Sequence, residues 1–146
     1  MEDDLILSAF ITESIGLDIT AIEATTIAAV QSQVDLALKD GLSVESLRQS
    51  IADVFDGFSQ TRALTIARTE IGSAASFGQM VGAVAAGATT KVWLTSRDSH
   101  VRGNHDHMEQ EAVPINNTFS NGGRFPSDPS LSAGERINCR CAMSFR

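Results

Sequence analysis

The spacing of apolar positions changes once along this chain, near residue 88, and the change separates a helical pattern from an irregular one. From about Asp18 to Lys39, the residues Ile22, Ile27, Val30, Val34 and Leu38 recur at mostly helical intervals. Asp40-Gly41 closes that helix, with Gly41 suited to the left-handed conformation after a helix end. Ser43 is placed to cap the next helix by accepting a free backbone N–H. There Val44, Leu47, Ile51, Val54, Phe55 and Phe58 predict one buried apolar stripe that ends near Gly57. A third helix is predicted from about Ser59 to Val84, with Ala63, Ile66, Ala67, Ala74, Phe77, Val81 and Val84 on one side. Its second half is rich in small residues. The Gly78/Gly82 spacing carries meaning as an association motif mainly in membranes, so tight packing is the reading here. Gly87 closes the helical part.

Beyond Gly87 the segment Thr90–Thr95 is short, β-branched and aromatic, which predicts a strand. Residues 96–108 are polar and rich in histidine. Ala112–Ile115 predicts a second strand at an edge, because Pro114 has no N–H to give to a ladder. Asn116 to Glu135 reads as a long loop, and Arg136 to Phe145 as a returning final strand. The expected fold is α+β: a helical N-terminal half, residues 1–88, followed by a small loop-rich β region, residues 89–146, with a C-terminal strand. The two are expected to form one compact unit, and the long loop needs something local to hold it.

Composition narrows the class. The chain has 146 residues and 15.5 kDa, enough for one moderate core. No stretch approaches the roughly 20 apolar residues of a spanning helix, which argues against an integral membrane protein. The acidic start Met1-Glu2-Asp3-Asp4 is unlike a secretory signal peptide. The net charge of −7 is uneven: residues 1–60 carry eleven acids against Lys39 and Arg48, and residues 61–146 carry nine bases against seven acids, with all three histidines. The first part should repel nucleic acid and the second tolerate phosphate, but a dedicated DNA-binding protein is usually far more basic.

The candidate chemistry lies in the second part. Asp98, His100, His105 and His107 stand on one side of the loop, and Cys139 and Cys141 on the other. In an extended segment residues two apart face the same way, so both thiols can reach one ion, and thiolate with imidazole suits zinc. An ion there would staple the loop; without one, these are ordinary polar or buried side chains. The histidines and Asp98 could instead hold a divalent metal for phosphodiester hydrolysis with Arg102 on the phosphate, although no water-activating base is identifiable. A Cys139–His105 nucleophile pair has no identifiable third group. No P-loop, dinucleotide fingerprint or Gly-x-Ser-x-Gly elbow is present. Arg68 and Glu70 read as a solvated or salt-bridged helix face.

The ordered series Arg62-Ala63, Ile66-Ala67-Arg68-Thr69-Glu70, Lys91-Val92-Trp93, Asp98-Ser99-His100-Val101-Arg102-Gly103-Asn104-His105, Val113-Pro114, Phe119 and Asn138-Cys139-Arg140-Cys141 resembles the Mu-F-like phage head morphogenesis (minor capsid) family. The resemblance covers roughly residues 60–146. It implies a structural, non-enzymatic minor head protein of a tailed bacteriophage, associated with the portal and capsid interior and with head assembly or DNA delivery. Implied partners are the portal and/or major capsid protein, and packaged DNA without sequence specificity. Multiple copies would sit in the virion head, after assembly in the host cytoplasm, with no membrane contact. The alternative is a metal-dependent nuclease or a toxin-like effector domain. The resemblance also implies a zinc site with His105, Cys139 and Cys141 as ligands. Arg102 stands where some relatives have another cysteine, which leaves His100, His107, Asp98 or water for the fourth position, His100 first. The Gly usual after the His segment is missing, and Gln110 stands near its place. The chain is shorter than such proteins commonly are, so it is expected to be a C-terminal fragment or a compact version.

Overall fold

The computed structural model describes residues 2–14, 24–54 and 60–146. Its elements are α1 (Glu2–Ser14), α2 (Ala24–Lys39), α3 (Val44–Val54), α4 (Gln60–Ala85), β1 (Thr90–Leu94), α5 (Gly103–His107), β2 (Ala112–Pro114), α6 (Ala133–Arg136) and β3 (Ala142–Phe145). The fold is the expected one: a helical N-terminal region, then a small antiparallel sheet in the order β2-β1-β3. No described helix is long and apolar enough to cross a membrane.

The helices pack by the faces that their spacing marked. Val30 and Val34 of α2 are fully buried, as are Leu47 and Ile51 of α3, and Val44 packs partly buried against the same core. The Val54 side chain, Phe55 and Phe58 lie outside the described residues, as does the start near Asp18 predicted for the helix seen as α2. Gly41 takes φ +66° and Leu42 N–H donates to Ala37 O at 2.8 Å, so the left-handed exit from α2 is real. Ser46 N–H donates to Ser43 Oγ at 3.1 Å, the expected cap of α3. In α4, Ala63, Ile66, Ala67 and Ala74 are buried, but Val84 is 51% exposed because the helix outruns the core. The tight-packing reading holds at Gly78, whose Cα faces Leu7 of α1, and not at Gly82, which has open space around it.

α1 had no helical pattern assigned to it. Its Phe10 stacks on Phe77 of α4, with ring centroids 4.2 Å apart, and Phe125 from the long loop meets both rings edge-on. That contact is one local anchor of the kind the long loop needs. Phe119 and Phe125 are both buried, and the buried Asp128 carboxylate accepts N–H bonds from Arg124 and Ser130 at 2.8 and 2.9 Å. Lys91 of β1, fully buried, donates to Arg124 O at 2.7 Å and stands over the Phe119 ring. Loop closure therefore has its own packing, with or without an ion.

β1 pairs with β2 in the register Thr90↔Pro114 and with β3 in the register Trp93↔Met143, which leaves Pro114 on an edge strand as expected. The final strand is shorter than predicted, Ala142–Phe145 instead of a run from Arg136. Arg136 ends the single turn of α6, and Asn138 takes φ +61°. The cause is tertiary: Arg136 is fully buried against Glu70 of α4, and Asn138 N–H donates to Thr69 Oγ1 at 2.8 Å. Glu70 is thus ion-paired, as the salt-bridged alternative expected, but buried inside the fold, while Arg68 reaches Asn138 Oδ1 at 2.9 Å.

Candidate metal centre

Two segments converge at the candidate site. α5 carries His105, 1% exposed; the segment leading into β3 carries Cys139, buried, and Cys141, half-buried. The His105 ring nitrogen and both sulfurs lie within 4.8 Å of one another. Nδ1 of His105 stands 3.7 Å from Cys139 Sγ and 3.7 Å from Cys141 Sγ. One nitrogen equidistant from two sulfurs faces a point between them. An ion about 2.0–2.1 Å from nitrogen and about 2.3 Å from sulfur in tetrahedral coordination would set each nitrogen–sulfur separation at about 3.6 Å. The donor set and its spacing therefore fit zinc.

A second observation agrees. The indole N–H of Trp93, fully buried on β1, has no hydrogen-bond partner among the described residues. Its ring packs edge-on to His105, with centroids 5.3 Å apart. The two thiols share their first proton loss. The hydrogen bond from Cys141, then that of His105, draws the Cys139 thiol well below its ordinary value against burial. Cys141 is held up by its bond to Cys139 and by burial. Hydrogen bonding to Cys139, opposed by burial and aided by Glu135, raises the His105 ring above its ordinary value.

The other candidates stand elsewhere. His100 is exposed at the turn, with its backbone N–H on Asp98 Oδ1 at 2.9 Å, and is not in the cluster. His107 ends α5 exposed. Asp98 receives two bonds of 2.8 Å from Arg140, the residue between the cysteines, and so clips the His segment to the C-x-C segment. Arg102 donates to Ile137 O, tying the same two segments together. What sequence reasoning missed is Glu135 of α6. Its Oε2 lies 2.9 Å from His105 Nε2, and Asn104 Nδ2 reaches both of its oxygens at 2.8 Å. Burial opposes ionisation of Glu135, but the bonds from His105 and Asn104 hold its carboxyl below the ordinary value. Glu135 also supplies the third group whose absence weighed against a Cys139–His105 pair. Its position four residues before Cys139 was the available signal, too weak to pair it with a histidine thirty residues earlier.

The profile of the family described as Phage Mu protein F like protein matches residues 28–144 of the chain. The chain is 29% identical over 123 residues to the uncharacterized protein YqbB of Bacillus subtilis (strain 168), covering 79% of this chain and 40% of that protein. It is also 29% identical over 118 residues to the NAD(+)--arginine ADP-ribosyltransferase EFV of Enterococcus faecalis (strain ATCC 700802 / V583), covering 77% of this chain and 24% of that protein. The chain thus spans well under half the length of these relatives. No solved structure matches it.

Proposed function

The chain belongs to the Phage Mu protein F like family, and from that premise we propose that it is a structural minor head protein of a tailed bacteriophage, without catalytic activity of its own. The observation that carries this reading is the reach of the family match, which runs from within α2 into β3 and takes in His105, Cys139 and Cys141. The buried cluster supports it: His105 and Cys139 are buried and Trp93 and Glu135 pack against His105, an arrangement suited to holding chain segments together. In this role the protein acts at the portal and capsid interior during head assembly or DNA delivery. It contacts portal and/or major capsid protein, and packaged DNA without sequence preference. It is present in several copies in the virion head, and in the host cytoplasm during assembly. Zinc on His105, Cys139 and Cys141 would be a folding element, since structural sites contribute stability directly. The test is purification of phage particles and of portal from infected or induced cells. Co-purification with both is the expected result, and absence from particles would reject the reading.

A second reading rests on the match to an arginine ADP-ribosyltransferase. On that reading the chain is a toxin-like effector module, and the metal-dependent nuclease belongs to the same class. Purified protein should be incubated with NAD and an arginine acceptor, and separately with DNA and RNA plus Mg, Mn or Zn. Transfer of ADP-ribose, or nucleic-acid cleavage abolished by His105→Ala, would reverse the ranking.

A further inference from the structure

Resting on the metal reading above, we propose that Glu135 is a positioning residue that commits His105 to present Nδ1, and not Nε2, to an ion held with Cys139 and Cys141. A neutral imidazole carries its hydrogen on one nitrogen and its lone pair on the other, and only the lone pair binds metal. An ionised carboxylate accepts hydrogen bonds and donates none. With Glu135 Oε2 2.9 Å from Nε2, a neutral ring keeps its hydrogen on Nε2, and the lone pair on Nδ1 then faces the two sulfurs, each 3.7 Å away. The carboxylate is itself held: Asn104 Nδ2 spans both of its oxygens at 2.8 Å. Asn104 and His105 are neighbours on α5, so the residue that supplies the ligand and the residue that anchors its orienting group move together. Trp93 packs edge-on against the ring, with centroids 5.3 Å apart. Glu135 meets the ring on the edge away from the sulfurs, so it acts through the histidine and is not the fourth ligand.

The test uses the full chain. Zinc affinity is measured at fixed pH by competition with a chelating dye for the parent, Glu135→Gln, Glu135→Ala and Asn104→Ala, alongside the thermal stability of each metal-free protein. Loss of a partner that orients a ligating histidine typically weakens affinity about 10–100-fold, and that is expected of Glu135→Ala. Glu135→Gln keeps an acceptor oxygen and should lose less, and Asn104→Ala should shift affinity in the same direction. In cadmium-loaded parent protein labelled with nitrogen-15 in histidine, the cadmium coupling should appear on Nδ1 of His105. Coupling on Nε2, or zinc affinity in Glu135→Ala equal to the parent's, would overturn the assignment while leaving the metal site intact. A parent chain that binds neither zinc nor cadmium would overturn both. A Glu135→Ala chain that does not fold leaves the parent's coupling and the Glu135→Gln affinity to decide.

Discussion

Replacing Glu70 by Gln removes one charge from a pair that is almost wholly out of water. Glu70 and Arg136 are 2% and 0% exposed at the side chain, with Arg136 Nη2 3.4 Å from Glu70 Oε2. At that distance, with an effective dielectric constant of about 20, two unit charges attract by about 5 kcal/mol. The shape of Gln matches Glu, so little packing changes, and the consequence is a buried guanidinium that has lost the charge of Glu70. Breaking a buried pair in this way destabilises by about 3–5 kcal/mol. In a domain of this size the melting temperature should fall by roughly 10 °C or more. The double replacement Glu70→Leu with Arg136→Met removes both charges, and is expected to recover most of that loss, because a well-packed apolar pair is often as stable as a buried ion pair. Urea denaturation at pH 7 of the parent, the single variant and the double variant measures all three. The reasoning fails if Glu70→Gln lies within about 1 kcal/mol of the parent, the value an exposed pair would give. It fails equally if the double variant is less stable than the single one.

Cys139→Ser should abolish stoichiometric zinc, read by elemental analysis of protein purified without chelator, and should lower the melting temperature; a folded, reduced parent without metal would end the zinc reading. Glu109 is held down to about 2 by the Thr95 backbone N–H and by Arg97. Its folded value lies below its unfolded one, so its stabilisation is complete above about 4.5 and is lost as pH falls toward 2. Glu109→Gln should flatten that part of a stability–pH curve, and an unchanged acid limb would count against it. Gln110 takes φ +66°, a left-handed conformation that penalises any side chain. Gln110→Gly should therefore stabilise by about 0.5–1 kcal/mol in denaturant melts, and destabilisation would show that the Gln side chain matters more than its backbone.

Local features were legible along the chain. The three- and four-residue spacing through α2, α3 and α4 marked Val30, Val34, Leu47, Ile51, Ala63 and Ala67 as inward, and all are buried. Periodicity within a helix is a property of neighbouring residues. Gly41 and the Ser43 cap were legible for the same reason, and so was the edge position of Pro114, which follows from a missing N–H. The C-x-C pair with a histidine was readable as one grouping because two thiols a residue apart can face the same way, which is a local property. Tertiary structure alone decided which partner each group met. Of four nearby donors, only His105 reaches the sulfurs, because the α5 turn aims it inward and leaves His100 and His107 in solvent. α1 carries apolar residues with no single stripe, and only its docking on Phe77 selects Phe10 and Ile11 as inside while Leu5 stays 70% exposed. The last strand is cut short because Arg136 turns inward to Glu70, sixty-six residues earlier. Glu135 meets His105 across thirty residues. Such pairings depend on where the chain returns in space, which no local pattern of residues encodes.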